Sequence, residues 1–423
     1  MKSKHRQKKR FVKFLSAVLM LVSVCSVSAV GQTTLRVTYA PNSLAKIYEA
    51  IAEEFQRLHS DIKIELSAQR NYEELAQATL RGSLIGDLPD VSHQGTKLVP
   101  FLVKNDIAVP LNSFIESEAG WKKQGSVPSM IKRCSYGGKI NCIPFSLSPY
   151  VLYFNADLVR KVGGDPGNFP SDWDGIFELA SRISKLDDRF MGIYHDYRGD
   201  LAFQTLVMSR GGQLLKDDES SVAFDGPDGL WALNLMRKAA NAGMKDIGRN
   251  QAFQAFVAGQ VGIVASAVSR LGQFTMQSKG VFDLGVALYP MSASATQQPA
   301  GGNIVMMTTR NQAARQAAWK YIKFATGAVG QAIMVKKSGY VPVNTVAINT
   351  PDLLGNYYAA DPRRGVAVSR LAMIIPMYAI KNKNGIKIID EIEKTMGAMA
   401  RGKGTPENAL SSLVKITNAW LAR

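Results

Sequence analysis

Histidine and cysteine are scarce in this chain. Four histidines and three cysteines among 423 residues leave little material for a metal centre or for thiol chemistry, and neither a metal nor a cofactor is expected. The signatures of common catalytic sites are missing too: no G-x-S-x-G elbow, no H-E-x-x-H, no P-loop and no G-x-G-x-x-G. His59 falls at a helix end, His93 follows Pro89 to Ser92, and His195 lies in the polar-aromatic stretch from Gly192 to Gly199. None of the three is paired with a nucleophile, so hydrolysis has no candidate machinery and the chain does not read as an enzyme. His93 and His195 suit a ligand-facing place better than a catalytic one.

Other absences narrow the architecture. No Pro/Gly/Ser-rich linker divides the sequence and no internal repeat runs through it, which excludes domains strung like beads. No basic stripe is interleaved with aromatics, so a nucleic-acid partner is excluded. A sustained apolar run occurs at the N-terminus, from Phe14 to Val24, and it is too short to cross a bilayer, which takes about 20 residues.

Lys2, Lys4, Arg6, Lys8, Lys9, Arg10 and Lys13 precede that run, and Val27-Ser28-Ala29 follow it. This is the three-part pattern of a secretory signal, with cleavage expected after Ala29 and the periplasm as destination. An uncleaved anchor is the alternative; bulky Val24 ahead of Cys25 argues against lipoprotein processing. Seven of the 51 basic residues and none of the 34 acidic ones lie in this segment, so its removal lowers the net charge from +17 to +10. A mild positive bias suits an anionic small ligand, a negatively charged membrane surface or simple solubility.

Cys134 and Cys142 would remain after cleavage. They bracket a sequence in which Gly137-Gly138-Lys139 can form a three-residue hairpin turn, placing 134 opposite 142. A disulfide there would add about 2–3 kcal/mol by closing a short loop, consistent with an oxidising compartment.

The rest alternates between strand and helix. Leu35, Val37 and Tyr39 alternate as a strand. Leu44, Ile47, Tyr48, Ile51, Phe55 and Leu58 mark one helical face, capped by Asn42 or Ser43. Ile62 to Leu66 forms the next strand, Tyr72 opens a helix, and Pro89-Asp90-Val91 resembles a short buried strand. Helical spacing recurs over 173–185, 229–242 and 312–325, and Thr405-Pro406 starts a last helix. Repeated β-α-β order predicts an α/β fold with mainly parallel sheets flanked by helices, and ligands beyond the strand ends. The stretch from Pro144 to Leu158 reads as a polar loop, with Ser146, Ser148 and Pro149, running into a buried strand from Tyr150 to Phe154. Such a segment suits a crossing between two lobes.

Aromatics at loop positions, Tyr72, Tyr197 and Tyr340, fit stacking on the apolar faces of sugars or polyols. Gly301-Gly302 allows close backbone approach.

With these residues in place, the chain resembles the periplasmic solute-binding proteins of ABC importers, extracellular solute-binding family 1, carbohydrate branch, and within it the glycerol-3-phosphate binders. The resemblance rests on motifs in family order: Asn71-Tyr72-Glu73, Pro89-Asp90-Val91, Pro144-Phe145 with Ser148, Leu152 to Asn155, Ala255 to Gln260, Gly301-Gly302 and Gly339 to Pro342. It implies a two-lobed type II periplasmic-binding-protein fold with a ligand cleft between the lobes. It also implies a signal peptide over 1–29, one lobe from 30–147 plus 302–344, and a second from 148–301 plus 345–423. The implied ligand contacts are Tyr72, Ser148, Tyr197, Gly302 and Tyr340, with His93 standing where such binders carry glutamate, Ala267 where they carry serine, and Lys387 as the basic residue. The implied partners are a small-molecule solute (sugar, polyol or its phosphate) and the transmembrane subunits of an ABC permease, with the protein itself a monomer. Three rival readings stay open. They are ferric-iron capture by Tyr357 and Tyr358, a secreted glycan-active enzyme using Asp90, Glu73 or Asp196, and a structural envelope protein.

Overall fold

The computed structural model describes residues 32–422, so the expected leader, its cleavage point and Cys25 lie outside the described residues. Eleven strands occur among the described residues: β1 (Thr33–Tyr39), β2 (Ile62–Ala68), β3 (Val91–Gly95), β4 (Ser135–Tyr136), β5 (Lys139–Ile140), β6 (Ile143–Asn155), β7 (Met191–His195), β8 (Val261–Ala267), β9 (Leu284–Leu288), β10 (Gln298–Met307) and β11 (Ile374–Pro376). Nine of them form one continuous sheet in the order β2-β1-β3-β10-β6-β8-β7, with β9 paired to β6 and β11 to β10.

The sheet holds two lobes because β6 changes neighbours halfway. Its first half, Ile143 to Pro149, pairs with β10. Its second half, Tyr150 to Asn155, pairs with β8 and β9. Pro149 stands at the switch, where a missing N–H costs the ladder least. The polar stretch expected as a loop is therefore strand: Ser146 and Ser148 are buried ladder residues. The sheet is also mixed rather than mainly parallel. β1 pairs parallel with β2 and β3, β7 with β8, and β10 with β11, but β10 runs antiparallel to β3 and β6, and β6 antiparallel to β8 and β9.

Each lobe has its own core. In the first, alternation along β10 sends Val305 and Met307 to one face and Ile304 and Met306 to the other, as strand geometry requires. Helix Ala45–Leu58 lays Ile47, Tyr48, Ile51 and Phe55 on the larger of these clusters. A 3₁₀ turn at Asn42–Leu44, without a side-chain cap, leads into it, in place of the expected Asn42 or Ser43 cap. The second core gathers Tyr150 to Phe154, β7, β8 and helices Trp173–Ser184, Pro227–Asn241, Gly385–Ala400 and Pro406–Leu421. Thr405 caps the last of these, its hydroxyl accepting from the Asn408 N–H.

Two expectations shift. Residues after 344, assigned to the second lobe, first return to the first: Ala347 and Leu354 are buried in its core, against helix Ala328–Ser338. The chain enters the second core only near Ala367. The Cys134–Cys142 disulfide is present, but its hairpin turns through two residues. Tyr136 pairs with Lys139, and Gly137 and Gly138 both take positive φ, 57° and 76°, the conformation a two-residue hairpin turn favours.

Candidate functional site

The junction between the lobes is polar, and it is built from strand ends. Tyr72 is the first residue of helix Tyr72–Ile85, which follows β2 and is capped by Asn71, whose side chain accepts from the Glu74 N–H. The base of its ring packs on Gly95, where an added Cβ would sit 2.8 Å from Tyr72 Cγ. The Tyr72 hydroxyl accepts from Asn303 Nδ2 at 3.2 Å, and the same amide donates to the Tyr48 hydroxyl at 3.0 Å. Asn303 is fully buried, and its Oδ1 has no partner. It stands next to Gly302, whose φ of 132° and whose Cβ position, 2.0 Å from the Ser146 carbonyl oxygen, admit glycine alone.

The ladder carries these groups toward Tyr340. Gly301 pairs with Ser148, Gly302 with Leu147, and Leu147 in turn bridges to Val341. From the second lobe comes the turn after β8. The Ser269 N–H donates to Ser148 Oγ at 2.9 Å, and Arg270 follows. Burial raises the Tyr340 phenol, while the Arg270 guanidinium and the Ser269 side chain beside it act the other way. Burial also holds the Tyr72 phenol well above its usual range, with the Tyr340 phenol adding to the effect. These hydroxyls stay protonated, so they can both donate and accept. On the rim, Lys97 pairs with Glu73 at 3.0 Å. Buried Asp200, whose carboxylate accepts from Gln204 and feels the Lys97 charge, precedes Leu201, and Leu201 is the residue an added Gly301 Cβ would approach.

Four expected positions, Tyr72, Ser148, Gly302 and Tyr340, thus converge through strand register. Ala267 ends β8 beside them, but its backbone carbonyl is what the second lobe uses, accepting from the Tyr153 hydroxyl at 3.0 Å. Three others lie elsewhere. His93 is sealed in the first core between Tyr48, Phe145 and Tyr321, with Nε2 3.3 Å from the Tyr321 hydroxyl. Burial lowers its pKa to about 3, so it is neutral. Tyr197 is buried in the second lobe, donating to Asp246 at 2.9 Å beneath the Arg198 guanidinium. Lys387 is exposed on helix Gly385–Ala400. Asn303, Ser269 and Arg270 were not anticipated. Asn303 carries no periodic signal, whereas Ser269-Arg270 directly after a buried apolar run was a legible cue.

The residues of the rival readings are engaged otherwise. Tyr357 and Tyr358 meet edge to face at 5.5 Å, the Arg364 guanidinium covers Tyr357 at 4.2 Å, and burial raises both phenols, opposite to what a phenolate ligand needs. Asp196 is ion-paired with Arg249 at 2.8 Å, Glu73 with Lys97, and Asp90 accepts from the Arg36 N–H.

The model of a family described as bacterial extracellular solute-binding proteins matches residues 50–364. The sn-glycerol-3-phosphate-binding periplasmic protein UgpB of Escherichia coli O1:K1 is 22% identical over 439 residues, covering 97% of this chain and 98% of that protein. UgpB of Pectobacterium atrosepticum is 23% identical over 406 residues, covering 90% and 89%. Among solved structures, UgpB from Mycobacterium tuberculosis in complex with glycerophosphocholine has a TM-score of 0.79 at 19% identity, covering 91% of this chain and 98% of that one. The sugar-binding protein MalE from Xanthomonas citri reaches 0.80 at 18% identity, covering 92% and 98%. At such identities the structural likeness speaks for the two-lobed fold alone. The family match spans most of the sequence and both lobes, and the chain belongs to the bacterial extracellular solute-binding proteins.

Proposed function

We propose that the chain is the periplasmic solute-binding component of an ABC importer, capturing a sugar, polyol or glycerol-3-phosphate-like solute between its lobes and handing it to a membrane permease. One observation carries this reading: hydroxyl and amide groups of both lobes converge on the strand that joins them. Tyr72, Asn303 and Tyr340 come from the first lobe, Ser269 and Arg270 from the second, with Ser148 and Gly302 between. Tyrosine faces accept the C–H surfaces of a polyol and the neutral hydroxyls take its directional hydrogen bonds. Solute favours the closed form because only there do both lobes touch it, and closure presents a composite surface to the permease. The work is binding, without bond-making, and the relatives named above are likewise binding proteins.

The test is a thermal-shift screen of sugars, polyols and their phosphates on the purified protein. A solute at 100 times its Kd stabilises by about 2.7 kcal/mol. Recovery of a chemically altered solute would instead favour the glycan-active enzyme, and the absence of any shift across the screen would sink the transport reading.

A further inference from the structure

Three strand ends open toward the junction, and a cation follows each: Lys97 after β3, Arg198 after β7 and Arg270 after β8. In sheets of this kind ligands gather beyond the carboxyl ends of strands. Two of these cations are already matched. Lys97 Nζ lies 3.0 Å from Glu73 Oε1, and Arg198 Nη1 lies 3.3 Å from Glu393 Oε1. The nearby carboxylate of Asp196 is held by Arg249 at 2.8 Å. Arg270 has no carboxylate partner among the described residues. Its contacts are a long hydrogen bond to Gln273 Oε1, at 3.4 Å, and the face of Phe253, 5.2 Å from the ring centroid. A half-buried guanidinium resting on an aromatic face keeps its five donors oriented and weakly solvated, ready for a planar or tetrahedral oxyanion.

Its position is fixed as well. Ser269, the preceding residue, is tied through its backbone to Ser148. The Arg270 charge is felt at Tyr340, across the junction, and at Tyr153 below it. The basic residue expected at Lys387 lies on a different element, exposed on helix Gly385–Ala400.

We propose that Arg270 is the specificity-determining residue of this site, its guanidinium taking the anionic head group of a polyhydroxyl solute, a phosphate monoester or a sugar carboxylate, while Tyr72 and Tyr340 meet the hydroxylated body. This inference rests on the solute-binding reading above and adds the sign of the solute's charge and the residue that reads it.

Calorimetric titration of the purified protein with matched pairs tests it: sn-glycerol 3-phosphate against glycerol, and glucuronate against glucose, with maltose as a neutral reference. The charged member of one pair is expected to bind at least about 10-fold tighter than its neutral partner, and the pair that responds distinguishes phosphate from carboxylate. Arg270→Gln should weaken that binding about 10- to 100-fold, the weight of one charged hydrogen-bonding partner. Arg270→Lys should restore part of it, and the melting temperature without solute should stay near wild type. Neutral probes binding as well as charged ones would overturn the inference and leave the solute-binding reading standing, as would unchanged affinity in Arg270→Gln or a loss found in Lys387→Gln instead. Binding of none of the five probes would overturn the inference, and the wider thermal-shift screen then decides whether the solute-binding reading falls with it.

Discussion

Ser269 donates its backbone N–H to Ser148 Oγ at 2.9 Å, tying the turn after β8 to the strand shared by both lobes. The bond joins a turn of the second lobe to the switch point of β6. Ser148 is buried and Ser269 half-buried, so water makes up only part of a lost bond. Ser148→Ala should cost about 1 kcal/mol, lowering the melting temperature by about 2–4 °C for a protein of this size or somewhat less. Solute affinity should fall with it, because Arg270 loses its anchor. An unaltered melt together with unaltered affinity would show that the turn holds itself.

Adjacent glycines should behave differently. Gly302→Ala places a methyl group 2.0 Å from the Ser146 carbonyl oxygen at a φ of 132°, so a loss of more than about 2 kcal/mol in urea unfolding is expected. Gly301→Ala meets only Leu201 Cδ2, at 3.2 Å, the flexible end of a side chain. Its cost should stay below about 1 kcal/mol. Equal effects at the two positions would contradict this account of the two glycines.

Tyr197 was expected to stack on the solute, which would make Tyr197→Ala a binding mutant with an intact fold. Its burial and its bond to Asp246 reverse that expectation. Tyr197→Phe should lose about 1 kcal/mol of stability with affinity unchanged, and Tyr197→Ala about 3–5 kcal/mol through the cavity it leaves. A Tyr197→Phe protein with native stability and weakened binding would return the residue to the site.

Acid should destabilise the fold through two histidines. Burial lowers the pKa of His93 and of His195 from 6.5 to about 3, so both are neutral when folded. Unfolded histidine takes up a proton near pH 6.5. Their contribution to stability is therefore full above pH 6.5 and declines as pH falls toward 3, by at most about 1.4 kcal/mol per pH unit for each. Urea midpoints at pH 7.5 and 5.5 measure the slope. His93→Gln should remove one histidine's share of it, whatever it does to absolute stability; an undiminished slope would place the titrating groups elsewhere.

Much of the fold was legible because its elements follow amphipathic periods. Ile47, Ile51 and Phe55 declare a helix, and Thr405-Pro406 declares another's start. The site was legible only where a residue sits at an element boundary, as Tyr72 does at the head of its helix. His93 misled because β3 is buried on both faces. A strand without alternation gives no sign of which side chains reach a cleft. Asn303 was invisible for a related reason: its place under Tyr72 is set by the register of β10 against β3 and β6, which depends on residues more than a hundred positions away. The three-residue turn failed at Lys139, where the two preceding glycines close the hairpin by themselves.

The unbroken passage of β6 past Pro149 has a mechanical meaning. Lobes hung on loose tethers would drift apart freely and would have to be gathered in on each capture. A ladder shared by both lobes acts as a torsion spring, with a resting angle and a stiffness set by the backbone hydrogen bonds between β6 and its neighbours. How long a solute is held should therefore respond to that stiffness. Substitutions along the Gln298–Ala300 edge of the ladder should change the dissociation rate in stopped-flow measurements more than they change the set of solutes accepted.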